Sequence, residues 1–326
     1  VLDKLAVDVA MINELDPLGT DESPFGRIRD ALLIAQELFE DDNEIDIQLV
    51  AGTYAESLEF IPNTRLTGAD PSDPSATVIE PDPTSLDSTN AILLETSSDI
   101  NIAHLTVRMP VSTEVTGATL VNIADNTVTM DNVVLDGRSS GSHIGVQIAG
   151  ADSSSSTLMN CTFSNLQCGI LTQDSTIKIT RNIFSGIAGE SIRILAPTAK
   201  QTMGSSIPSL GDVNDLENTG NNIFERSGSA YIVNETNETV SAEGNYWGTN
   251  DYTTIESGMQ GDVSFTPYYL SANLSILTVT VAISVDDSSN ASPITTASVS
   301  VNPNVFSAIT TNTNGVYVFP ALPPDN

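Results

Sequence analysis

One short pattern returns along the middle of this chain and constrains what it can fold into. Pairing a large apolar residue with the residue three places before it gives His104 with Val107, Asn132 with Leu135, Asn160 with Phe163, Arg181 with Phe184 and Asn221 with Phe224. The apolar anchors lie 28, 28, 21 and 40 residues apart, and Trp247 follows 23 residues after the last. Self-similarity at periods of about 20 to 50 residues marks stacked repeats, in which each unit buries its apolar face against its neighbours. Within a copy, Ile177 and Ile179 alternate with Lys178 and Thr180, a period of two that reads as a strand with one buried face. Too few residues separate successive strands for the helical crossover of an ordinary parallel sheet. The expectation is an all-β chain wound as a parallel β-helix. His104, Asn132, Asn160, Arg181 and Asn221 then share one corner of successive coils. They are expected to form an inward structural ladder, because Asn side chains there can bond the backbone of their own and adjacent turns.

A solenoid needs its ends covered, since an open end bares apolar core and unpaired strand edge. At the N-terminal side, Asp21-Glu22-Ser23-Pro24 precedes Ile28, Ala31, Leu32, Ala35 and Leu38 on one stripe. That pattern predicts an amphipathic capping helix at about 22–40. Residues 1–19 carry little pattern and are expected as a leader helix, an irregular cover or a docking segment. From Ile45 the period becomes two, through Ile47 and Leu49 to Gly52-Thr53-Tyr54 with Glu56 nearby, and on to Leu66-Thr67-Gly68. The helix, the Gly-Thr-Tyr turn and the Leu-x-Gly turn together resemble the opening of the right-handed parallel β-helix proteins of the pectate-lyase-like superfamily. The segment around Asn245-Tyr246-Trp247-Gly248 is similar to the closing coil of many extracellular members. That likeness, covering about 20–272, implies a right-handed solenoid with Trp247 as its end cap. Residues 273–326 alternate apolar and hydroxyl side chains and run into Thr313-Asn314-Gly315-Val316-Tyr317. They are similar to the start of the carboxypeptidase-regulatory and collagen-adhesin B-type immunoglobulin-like modules, so a partial β-sandwich is expected there.

With 42 acidic and 11 basic side chains the net charge is -31, which argues against nucleic acid as a partner because phosphate binding needs a basic footprint. The same acidity fits a saline or extracellular setting and would suit Ca²⁺. No apolar run reaches bilayer-spanning length. Cys161 and Cys168 could pair across a corner or sit as two small buried hydrophobes. The interruption at 196–220 is expected as a lateral loop. Its Asp212, Asn214, Asp215 and Glu217 alternate oxygen ligands in the manner of a Ca²⁺ loop but lack the Gly and closing Glu of an EF-hand. Among five sequons, Asn234 and Asn237 are the candidates for glycosylation, while Asn160 is expected to point inward and stay unmodified.

If the resemblance carried its activity, a Ca²⁺-dependent polysaccharide lyase or a glycoside hydrolase would need a basic group beside ion-holding carboxylates. Asp131, Asp136 and Arg138 come nearest to that set, and no catalytic motif of the superfamily aligns with the chain. The reading leans away from an enzyme. It favours a secreted or cell-surface structural or adhesive module of a filament-forming protein, with no required cofactor. Its partners would be further copies of itself or other cell-surface proteins. The alternatives are a glycan-active enzyme and a glycan-binding module, with polysaccharide as ligand.

Overall fold

The computed structural model describes residues 4–7, 25–38, 45–61, 63–83, 92–96, 100–111, 115–124, 127–138, 142–150, 156–197, 207–215, 218–225, 228–274, 281–284 and 316–319. Strands of three parallel sheets recur in rotation along the chain. The first sheet is seven-stranded, from Lys4–Val7 and Ile45–Leu49 to Thr157–Met159 and Lys178–Thr180. The second has eight strands, from Leu58–Phe60 to Met259–Gln260, and the third has seven, from Gly52–Tyr54 to Ile223–Phe224. This is the parallel β-helix that the repeat implies. Strands such as Ile45–Leu49, Leu58–Phe60 and Val128–Asp131 bury alternate residues, because a strand turns successive side chains to opposite faces.

The repeat anchors coincide with a single internal column. Register places Tyr54 on Ile79, then Val107, Leu135, Phe163, Phe184 and Phe224 in turn, all fully buried. Parallel strands lie about 4.8 Å apart, and the aromatic members stack at that pitch. Centroids are 4.8 Å apart for Phe163 and Phe184, 4.7 Å for Phe184 and Phe224, and 4.4 Å for Phe224 and Trp247. The rings need room opposite, which glycine supplies. A Cβ at Gly169 would lie 2.6 Å from the Ser191 carbonyl oxygen and 2.9 Å from the Phe184 ring.

The N-terminal end differs from expectation in two ways. Lys4–Val7 is a strand, not a helix, and pairs in parallel with Ile45–Leu49 as the first member of the first sheet. The helix begins at Ile28 and runs to Leu38, burying Ile28, Ala31, Leu32 and Ala35. Its first amides are capped from the neighbouring coil, and 21–24 lie outside the described residues. Ile28 N donates to Glu56 Oε1 at 2.9 Å and Arg29 N to Glu56 Oε2 at 3.0 Å. A carboxylate on the unsatisfied N–H groups of a helix start is favourable for both hydrogen bonding and dipole reasons. Phe25 N donates to the Ala6 carbonyl at 3.0 Å, so the outer edge of the first strand is partly closed by the chain itself.

At the other end Trp247 is fully buried and stacks on Phe224, while the Tyr231 hydroxyl donates to its carbonyl. Phe265, Tyr268 and Ile255 of the short helix Tyr252–Glu256 are buried beyond it. Of the expected sandwich, the described residues contain one antiparallel pair, Val281–Ser284 with Val316–Phe319. No described helix is long and apolar enough to cross a membrane.

Candidate functional site

The corner that carries the repeat holds two adjacent columns with different duties. His104, Asn132, Asn160, Arg181 and Asn221 all have positive φ, between 53° and 59°. A left-handed residue is what lets the chain turn sharply from the first sheet to the third, and Asn tolerates it best after Gly. Their backbones carry the ladder: His104 N donates to the Asp131 carbonyl and Asn132 N to the Met159 carbonyl, both at 3.1 Å. Their side chains do not turn inward. Asn160 and Arg181 are exposed, and the Asn160 amide donates to Asp131 Oδ1 at 2.6 Å on the surface.

The inward ladder lies one residue further along, at Asn182, Asn222 and Asn245, all fully buried. Asn222 Oδ1 accepts from Asn182 N at 2.9 Å, and Asn245 Oδ1 accepts from Asn222 N at 2.9 Å. Asn222 Nδ2 donates to the carbonyls of Ile179 and Leu210 and to Asn245 Oδ1. The amides thus satisfy backbone groups that the sharp corner leaves without sheet partners. The sequence held the signal in the doublets Arg181-Asn182, Asn221-Asn222 and Gly244-Asn245, where the second residue, not the first, is Asn throughout.

Cys161 occupies the next rung upstream. Its amide donates to Asn182 Oδ1 at 2.9 Å, and its sulfur faces the Met130 and Met159 carbonyls. Both cysteines are free and buried, the second of the two alternatives: Cys161 is a ladder position, whereas Cys168 opens a strand of the second sheet with Sγ against the Ile170 carbonyl. Burial pushes both thiols up to about 12, so neither is a nucleophile at neutral pH.

The carboxylate and arginine candidates are split across that corner. Asp131 ends a strand of the first sheet and Asp136 a strand of the third. Asp136 Oδ1 accepts from Arg138 N at 2.8 Å and from the Asn165 amide at 2.9 Å. The Arg138 guanidinium turns instead to Glu80, with Nη2 to Oε2 at 2.7 Å, and Arg108 reaches the same oxygen at 2.6 Å. Glu80, Arg108 and Arg138 therefore staple three coils, a set missed because the residues lie 28 and 58 positions apart.

Elsewhere the groups nominated from sequence sit in local turns. Asp212 Oδ1 accepts from Asn214 N at 2.8 Å and from the Asn214 amide at 3.1 Å, an Asx turn. Asp215 N bonds back to the Asp212 carbonyl. Glu217 lies outside the described residues. Among the described residues no group of three His, Cys, Asp or Glu is placed to hold a metal. His104 Nδ1 lies 3.3 Å from the Asn132 amide. His143 is buried, with Nδ1 accepting from Ala118 N at 3.2 Å, and burial lowers its pKa. Asn234, nominated for glycosylation, is buried, its Nδ2 donating to the Glu238 and Asp262 carbonyls at 2.8 and 2.7 Å.

No family model matches the chain and no curated protein matches it significantly. Among solved structures it is similar to pectin methylesterase PemA from Erwinia chrysanthemi, at 14% identity and a TM-score of 0.34. That match covers 74% of this chain and 66% of the other.

Proposed function

We propose that this chain is a non-catalytic structural or adhesive module of an extracellular or cell-surface protein, in which the solenoid serves as a stiff spacer. The observation that supports this reading is where the nominated catalytic groups are engaged. Asp131 bonds Asn160, Asp136 bonds Asn165, and Arg138 bonds Glu80, each on a different coil. Groups committed to neighbouring coils stiffen the rod and are not poised to exchange protons with a substrate. Seven strands at about 4.8 Å spacing make a rod on the order of 30 Å long. Residues 273–326 fit as the start of an immunoglobulin-like module attached to one end. Further copies of the chain and other cell-surface proteins are the partners in this reading, and Ca²⁺ is not required.

One observation favours a glycan-binding module as the second reading. Asn122, Gln147, Arg193 and Gln260 fall on one outward column of the second sheet, in register through Leu171 and Val233. The protein should be incubated with Ca²⁺ and a panel of uronate, methyl-esterified and neutral polysaccharides, assaying reducing ends, unsaturated product and methanol. Reproducible turnover of any of them would overturn the structural reading. A glycan array separates the binding module, which would show retention without turnover.

A further inference from the structure

The tandem Asn234-Glu235-Thr236-Asn237-Glu238-Thr239 holds two contiguous acceptor sequons, their Asn residues three apart, and the fold treats them oppositely. Asn234 is the keystone of the turn. Its Oδ1 accepts from Thr236 N and Oγ1 at 3.0 and 2.7 Å, and its Nδ2 is committed to two carbonyls. A sugar on that nitrogen would break both donated bonds and place a bulky polar group where the side chain is 5% exposed. Asn237 stands in the same turn and is exposed, with Glu235, Glu238 and Thr239 exposed around it. Thr239, the hydroxyl residue of its sequon, is held by a 2.6 Å bond to Asp262 Oδ2.

The sequon at Asn160 is less suited. Asn160 is exposed, but its amide is bonded to Asp131 and its sequon turns through fully buried Cys161. A left-handed residue followed by an inward one cannot present an extended acceptor segment.

We infer that Asn237 is an acceptor site for an N-linked glycan and that Asn234 beside it is not. In the transfer, Asn237 Nδ2 forms a bond to the anomeric carbon of a diphosphate-linked sugar. The bond from that carbon to the diphosphate oxygen breaks with its electron pair, and the amide proton passes to a base of the transferase. The glycan would project from the flank of the last coils, beside the exposed turn at Gly261 and Asp262, and shield that end of the rod without touching the core.

The test needs the two sequons on separate peptides, and Glu235 between them makes this possible with a protease that cuts after Glu. In protein purified from its native source, the peptide with Asn237 should carry a hexose-containing mass increment that an amidase converts to Asp, and the peptide with Asn234 should carry none. A second arm uses unglycosylated folded protein with a soluble N-glucosyltransferase and nucleotide-linked glucose. There Asn237 should be labelled at least tenfold more than Asn234, and the ratio should fall toward one after unfolding in urea. An unmodified Asn237 in native material, sugar on Asn234, or equal labelling of the two in the folded protein would each overturn the inference.

Discussion

Upstream and downstream of Cys161 the same corner is built in two ways. Upstream, the inward corner residues are Leu105 and Val133 and the anchor column, after Tyr54 in the first coil, is aliphatic through Ile79, Val107 and Leu135. Polar cross-ties lie on the outside there, in the Glu80 staple and the Asn132 to His104 contact. Downstream, the corner is Asn182, Asn222 and Asn245, the anchors are aromatic, and the corner's polar cross-ties run through the core, with Arg193 and Glu235 paired outside. A solenoid corner fixes the backbone but leaves its filling open. An apolar filling is adaptable and tolerates a range of shapes. An amide ladder is specific, since each member is satisfied only if the next is present.

The largest expected effect comes from breaking that chain in the middle. Asn222→Leu keeps the volume but takes the Asn222 partner from the buried Ile179 carbonyl and the Asn182 N–H, and it removes one of two bonds from the Leu210 carbonyl and from the Asn182 amide. At about 1 to 3 kcal/mol for each orphaned buried group, the loss should reach about 5 kcal/mol in urea unfolding. Val133→Ala, at the matching upstream position, should cost only about 2 kcal/mol. Equal losses would show that the two corners are not different in kind.

Phe184→Ala removes the middle ring of the stack, which lies against Phe163 and Phe224. A loss of about 4 kcal/mol is expected, with a lowered transition temperature measured by calorimetry. The aliphatic counterpart Leu135→Ala should cost about 3 kcal/mol, because upstream neighbours lose no ring stacking.

Acid should strain the junction between the halves. His143 accepts a bond from Ala118 N and is buried, and burial lowers its pKa from the ordinary 6.5. The fold therefore binds a proton less readily than the unfolded chain, so this contribution is present above pH 6.5 and is lost as pH falls toward the lowered value. Unfolding midpoints measured from pH 8 to 5 should decline for the parent and decline less for His143→Gln. Identical slopes would show that His143 plays no part.

How much of this was legible in advance follows the same division. The anchor column was readable because an apolar period survives insertion of a lateral loop: Phe184 and Phe224 remain register partners across 40 residues. The corner was located correctly and its side chains were assigned the wrong way round. The sequence shows where Asn clusters but not whether it is there for a left-handed backbone or for a buried amide, and both duties select Asn. The Glu80 staple was invisible because no local spacing reports a contact between coils. The strand at Lys4–Val7 was missed because four residues carry too little period to read.

The staple itself should matter little. Glu80, Arg108 and Arg138 are 19%, 32% and 29% exposed, and solvent screens ion pairs of that kind to about 1 kcal/mol or less. Glu80→Gln should shift the midpoint by no more than that, and the difference should shrink further at 1 M salt. A larger, salt-insensitive loss would mean that the upstream half depends on its exterior as much as the downstream half depends on its core.

Cys161→Asn at the junction is expected to have a similarly small effect and bears most directly on how the two halves differ. Cys161 stands where the ladder would have its next Asn: its amide already donates to Asn182 Oδ1, and Val133 N bonds its sulfur. An Asn at this rung would offer Oδ1 to Val133 N and Nδ2 to the Met130 and Met159 carbonyls that the thiol now faces. These are the roles that Asn222 plays two rungs on, so Cys161→Asn should extend the ladder upstream and change stability by less than about 1 kcal/mol. Cys161→Val, which fits the apolar filling of Leu105 and Val133, removes the sulfur acceptor and should cost about 1 to 2 kcal/mol. If Val is the better tolerated of the two in urea unfolding, Cys161 belongs to the apolar half and the ladder starts at Asn182; if Asn is, the halves meet one coil earlier.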